Sequence, residues 1–170
     1  MTRHTEAVFD WVVPYVEDDS YMEYLQYQNM WIAHRLLGLR TEKGIEEAVK
    51  VVGLLYVWTV LVRGYGNNSA MIRGLVACLR KAVERVQVDG VDSDGLEEVV
   101  LWVAFVGAHC SWEEEDGLFF ADLFWEQARV LEMAEYADLR RRLDEYLFVG
   151  TVYGETLRRM CNRRERDYGS

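Results

Sequence analysis

Two stretches of this chain are apolar on every side once wound into a helix: Val51-Val52-Gly53-Leu54-Leu55-Tyr56-Val57-Trp58-Thr59-Val60-Leu61-Val62, bounded by Lys50 and Arg63, and the nearly continuous run from 99 to 108. A helix without a polar face has to be surrounded by other elements. Each run falls short of the roughly 20 residues that a membrane-spanning helix needs, so both are assigned to a protein interior and no membrane association is expected. No stretch alternates apolar and polar residues over more than a few positions, as a half-buried strand would. The expected fold is all-α, an irregular bundle of about six helices around two apolar central helices. One domain is expected over residues 1–170, with 1–17 and 161–170 as loosely packed ends.

The rest of the composition agrees with a folded core. Half of the 170 residues are hydrophobic and Pro14 is the sole proline, which is unlike a disordered or linker-dominated chain. A formal net charge of -10 repels phosphate backbones, so direct nucleic-acid binding is not expected. The basic residues nevertheless collect late in the chain, at Arg140, Arg141, Arg142, Arg158, Arg159, Arg163, Arg164 and Arg166. A solvated helix face and a basic tail account for them, with contact to an acidic partner as the alternative. Cys78, Cys110 and Cys161 are widely spaced and odd in number, which argues against a disulfide framework and a zinc knuckle. The first residues lack the pattern of a secretory signal. The expected location is intracellular, nuclear or cytoplasmic, and no cofactor motif is present.

Local signals place the helices. Residues 5–13 have helical content that stops near Pro14, because proline obstructs the preceding turn. Ser20 with Glu23 makes a capping box for a helix to Leu37 that ends at Gly38, and Thr41 is the expected N-cap of the next one. Residues 63–68 read as a loop, after which Ser69 starts a helix with Ile72, Leu75, Val76, Leu79, Val83 and Val86 on one stripe. Asp94 with Glu97 marks the start of the second central helix. Ser111 with Glu114 is a further capping box, for a helix over 112–132 that buries Leu118, Phe119, Leu123, Phe124 and Val130. A last helical region is expected over 136–159, with Leu139, Leu143, Tyr146, Leu147 and Val149 inward and a bend at Gly150 or Gly154, each about 1 kcal/mol less favourable than alanine inside a helix.

Taken in order, several segments resemble a known family. Leu96-Glu97-Glu98-Val99-Val100-Leu101-Trp102-Val103-Ala104-Phe105-Val106-Gly107-Ala108 is similar to the Leu-Leu-Leu-Trp-Val-Leu-Phe-Leu-Gly-Gly helix of the fungal-specific transcription factor domain, the helical region that follows the zinc-binuclear-cluster DNA-binding module. Residues 46–61 resemble its apolar helix, 71–86 the amphipathic helix after it, and 136–160 its closing helix; the likeness covers about 21–164. The six-cysteine module is absent, and Tyr146-Leu147-Phe148-Val149-Gly150 stands where the family usually has a tryptophan and acidic residues. The resemblance implies a stand-alone or truncated regulatory domain without autonomous DNA binding. Such a domain keeps a helical surface for protein partners or self-association, or a pocket for an apolar small molecule; the competing class is a cofactor-independent enzyme or small-molecule-binding protein of fungal secondary metabolism, with the aromatic residues shaping an apolar cavity.

Among residues with chemical potential, His109 and Cys110 adjoin at a helix junction. Neighbours on a helix point in different directions, so they do not form an activated pair, and a structural role is expected. Glu113-Glu114-Glu115-Asp116, like Asp89, Asp92 and Asp94, is chemically able to hold a hard cation but lacks the spacing of a calcium loop; the helix dipole explains acids in a first turn. Tyr15, Tyr21, Tyr24, Tyr27 and Trp31, joined by His34, form an aromatic series along the first long helix. Tyr21 and Tyr24 are expected to one side with Tyr27, Trp31 and His34 moving round, more aromatic surface than one core face hides. The candidate partner- or ligand-binding residues are Tyr24, Tyr27, Trp31, His34, His109 and Trp112; no catalytic or metal-binding residue is assigned.

Overall fold

The computed structural model describes residues 19–41, 44–61, 69–88, 95–111 and 115–168, and within them the chain is helical, with no strand. In chain order the helices are α1 (Asp19–Gly38), α2 (Ile45–Tyr56), which runs straight into a π-helical turn (Val57–Leu61), α3 (Ala70–Val88), α4 (Glu97–Cys110), α5 (Glu115–Val130), α6 (Tyr136–Leu143) and α7 (Gly150–Tyr168). The all-α bundle expected from the sequence is what forms. Seven α-helices stand among the described residues where about six were expected, because the last region divides in two. The helix expected over 5–13 and the loop 63–68 lie outside the described residues.

α4 is the centre. Its residues 101–108 are buried without interruption, and Val103, Ala104, Phe105, Val106 and Ala108 have no exposed surface. α2, α3, α5 and α7 pack around it. The apolar run offers no polar face, so this burial is the only arrangement that keeps it from water. α5 packs tightly on α4 at Gly107, where an added Cβ would lie 2.6 Å from atoms of the Phe120 ring. Around Phe105 the rings of Phe124, Phe148 and Tyr153 have centroids at 5.9, 5.6 and 5.6 Å, the tilted and edge-on arrangements that aromatic quadrupoles favour. Trp102 stacks on Tyr146 at 5.9 Å.

Several local expectations hold and several need correction. Ser69 caps α3, its Oγ accepting from the Ile72 N–H at 3.2 Å. α2, however, starts after Gly44 and not at Thr41. Gly44 sits at φ +119°, a backbone conformation that other residues rarely adopt, and its carbonyl accepts from the amides of Glu47 and Ala48. Ser111 does mark a break, yet its hydroxyl donates back to the Gly107 carbonyl at 2.7 Å, closing α4; Glu114 lies outside the described residues. On α5 the expected inward residues Leu123 and Phe124 are buried, but the rest of the expected face is not. Leu118 and Val130 are exposed and Phe119 is half-buried, while Gly117, Phe120, Leu123, Phe124 and Ala128 are buried, because the fit of Phe120 against Gly107 sets the rotation.

α5 ends without a glycine. Glu132 takes the left-handed conformation at φ 55°, its N–H donating to the Arg129 carbonyl and that of Met133 to the Ala128 carbonyl, the paired bonds of a Schellman ending. The helix expected over 136–159 is interrupted by turns over residues 144–149. Gly150 begins α7 instead of bending a longer helix, and the rest of the core comes from Phe148, Tyr153, Leu157 and Met160. Among the expected inward residues Leu139, Leu143 and Val149 are buried, whereas Tyr146 and Leu147 are half-buried.

α1 is attached differently. Its Ala33 packs with Leu54 and Val57 in a small apolar cluster separate from the main core, with Leu36 and Leu75 against it. Gly53 allows the approach, since a Cβ there would meet Leu36 Cδ1 at 3.3 Å. Lys50 Nζ donates to the carbonyls of Leu37 and Leu39 at 3.2 and 2.8 Å, tying the end of α1 to α2 and satisfying carbonyls that a helix end leaves open. Among the described residues no helix is long and apolar enough to cross a membrane.

Candidate functional site

Four of the six candidate residues come together. At about 100° per residue on an α-helix, Tyr24, Tyr27, Trp31 and His34 fall within an arc of roughly 80° on α1. They do not drift around the helix: the arc lies opposite the face that carries Asn29, Ala33 and Leu36 inward. All four are exposed, with Tyr24 at 57%, Tyr27 at 68% and Trp31 at 52%, and Met30 and Leu37 extend the same surface along one flank. The Arg35 guanidinium lies 5.4 Å from the Trp31 ring centroid, a cation–π contact at one edge of the stripe. Singly exposed apolar residues are ordinary, but a contiguous aromatic and aliphatic face on one helix is the kind of surface that marks an interaction site.

His109 belongs to a different setting. Its Nδ1 is hydrogen-bonded to Thr156 Oγ1 at 2.8 Å, and its ring stands edge-on to Tyr153 with centroids 4.8 Å apart, so α4 is joined to α7. Burial pushes the imidazole down to about 4, which keeps it neutral near pH 7. Cys110 points elsewhere, towards Thr59 on the π-helical turn, and burial pushes its thiol up to about 12. A thiol held protonated in this way is not an activated nucleophile. The same interior carries Tyr153, whose hydroxyl burial holds well above its usual range, and Tyr56, pushed up to about 12 by burial. The Thr59 hydroxyl is the polar neighbour of both Cys110 and Tyr153 and also donates to the Leu55 carbonyl at 2.7 Å. α2, its π turn, α4 and α7 thus meet at a buried polar cluster that positions helices. Trp112 lies outside the described residues.

The other constellations resolve into packing. Asp116 is paired with Arg80 at 2.6 Å, Arg80 also holds Glu84 at 2.9 Å, and its guanidinium covers the Phe119 ring at 4.9 Å. Glu113, Glu114 and the acids at 89, 92 and 94 lie outside the described residues, among which no group of three or more His, Cys, Asp or Glu side chains converges on a metal position. The late arginines are largely engaged at home: Arg140 with Asp144, Arg141 with Asp138, Arg142 with Glu98 and Glu145, and Arg159 with Glu155. Arg164 lies 4.4 Å over the Trp125 ring at an open groove of about 710 Å³ between α5 and α7, where Leu118, Asp122 and Arg129 also contribute.

Sequence reasoning found the aromatic stripe but not the helix face opposite it. It also missed Thr59, Tyr153 and Thr156, which carry no local signal, since their roles depend on residues tens of positions away. Comparison with protein-family models, curated proteins and solved structures gives no match for this chain.

Proposed function

We propose that this chain is a non-enzymatic regulatory domain that works by protein–protein interaction, with the outer face of α1 as its docking surface. The observation that carries the reading is the exposed stripe of Tyr24, Tyr27, Trp31 and His34, flanked by Met30 and Leu37, on a helix whose other face is committed to α2. Tyrosine and tryptophan carry large contact areas with little side-chain entropy to lose, which is why they dominate interface hot spots. The resemblance of the ordered helices to the fungal-specific transcription factor domain supplies the setting: regulation of transcription in a fungal cell through a partner, with no DNA contact proposed for these helices. The formal charge of -10 is consistent with that division of labour.

A photo-crosslinking amino acid placed at Tyr27, with the same group at Arg158 on α7 as control, tests the reading in cells of the source organism. Covalent protein adducts from position 27 and none from 158 are expected. Adducts from 158 alone, or from neither position, would overturn it.

A second reading, small-molecule binding, draws on the groove between α5 and α7, where Trp125 and Leu118 offer apolar surface beside Arg129 and Arg163. Thermal stabilisation by apolar metabolite extracts that is lost in Trp125→Ala and kept in Trp31→Ala would favour it over docking at α1.

A further inference from the structure

The stripe on α1 is symmetric about its own middle. Tyr24, Tyr27, Trp31 and His34, with the small residues Ser20 and Gly38 at its two ends, are spaced 4, 3, 4, 3 and 4 apart, so reversing the helix maps the stripe onto itself. Under that reversal position 24 exchanges with 34 and position 27 with 31. This is the alternation of an a/d seam, and in an antiparallel pair of helices a positions meet d positions of the other strand. The charges follow the same logic. By sequence, the N-terminal end of α1 carries Asp19 and Glu23, while its C-terminal end carries Arg35, with Arg40 just beyond it. A parallel pair would bring like charges together, whereas an antiparallel pair sets each acidic end against a basic one.

We propose that α1 docks on α1 of a second copy of this chain, antiparallel and two-fold symmetric, with Tyr27 against the partner's Trp31 and Tyr24 against the partner's His34. The inference rests on the interaction reading of this face and names its occupant. The area suffices. Tyr24, Tyr27 and Trp31 are each at least half exposed, and aromatic side chains bury about 150–250 Å² apiece. With Met30 and Leu37 they offer a patch on the order of several hundred Å² per copy, approaching the roughly 800 Å² per partner of a standard interface. An isologous contact of this kind closes on itself, so it yields a dimer and not a filament.

Sedimentation of the purified full chain over a range of concentrations is expected to show a reversible monomer–dimer equilibrium. Trp31→Ala should weaken the dimer at least tenfold with an unchanged helical spectrum and unchanged stability of the dissociated monomer. Orientation is read by oxidation of cysteine variants on a Cys78→Ser background. Tyr27→Cys mixed with Trp31→Cys should give the mixed disulfide in excess over either self-linked species. A chain that stays monomeric at every concentration, a dimer insensitive to Trp31→Ala, or predominant self-linking of Trp31→Cys would each overturn the proposal. A monomer that still gives adducts to other proteins from position 27 refutes the second copy and leaves the interaction reading standing, whereas a monomer without adducts refutes both.

Discussion

α4 and α1 both carry aromatic and aliphatic residues, yet their rings end in opposite environments. On α4 Phe105 is fully buried and Trp102 nearly so, whereas on α1 Tyr27 keeps 68% and Trp31 52% of their surface. The difference lies in the residues and in the neighbours: the run 101–108 of α4 has no polar position, whereas α1 also carries Glu23, Gln26, Gln28, Asn29 and Arg35. α4 is covered by α2, α3, α5 and α7, while α1 rests on α2 and the π turn through one face, in a small cluster of its own. An apolar side chain is driven out of water wherever it stands, but it is buried only if another element is there to receive it. The two helices therefore teach that an aromatic count says how much surface needs covering, and the packing says whether this chain covers it.

The sharpest way to break this contrast is to truncate a ring on α4. Phe105→Ala and Trp102→Ala should each cost about 3–5 kcal/mol, the usual range for a large aromatic removed from a packed core. That is a large part of the roughly 5–15 kcal/mol by which domains are stable. Urea unfolding followed by circular dichroism measures it, and a variant as stable as the parent would refute the central place of α4.

Next in size is an effect of pH at the α4–α7 contact. The buried His109 titrates at about 4, whereas in an unfolded chain it takes up its proton near the ordinary value of 6.5. Between those values the unfolded state holds a proton that the folded state refuses, so stability is lost as pH falls from about 6.5 to about 4 and is fully retained above that window. At 1.36 kcal/mol per pKa unit the loss reaches about 3 kcal/mol at most. His109→Gln keeps a hydrogen-bonding group for Thr156 and should flatten this part of the stability-against-pH curve; equal slopes in parent and variant would show that the imidazole is not what senses the acid.

Gly107→Ala probes the tightness of the same core. Its Cβ would stand 2.6 Å from the Phe120 ring, so the ring or the helix has to move, and overpacking of this kind costs about 1–3 kcal/mol. An unchanged melting temperature would mean that α4 and α5 are less closely fitted than their separation indicates. The smallest effect belongs to α1. Trp31→Ala removes an exposed ring and should change monomer stability by no more than about 0.5 kcal/mol, as surface substitutions do. A drop in monomer stability near that of Trp102→Ala would erase the distinction between the two helices.

The stripe of Tyr24, Tyr27, Trp31 and His34 was legible in the sequence as a surplus of aromatic residues, and its 4, 3, 4, 3 and 4 spacing is in the sequence as well. What could not be read was which side of α1 would meet α2. That depends on Gly53, which leaves room for Leu36, and on Lys50 reaching the carbonyls of Leu37 and Leu39. His109 was legible as a residue with a structural role but its partner was not, because Thr156 stands 47 positions further on.

The sequence by itself determined the helical class, the start of α3 at Ser69 and the central place of the run 101–108. These follow from interactions within a turn or two, from capping, periodicity and the need to hide an unbroken apolar surface. Only the tertiary structure decided the rotation of α5, the break at 144–149 and the π-helical turn that sets Thr59 beside Cys110 and Tyr153. Each of these is a choice between local conformations of nearly equal free energy. Close packing between residues distant in the chain tips such choices, because it tolerates few voids and little overlap.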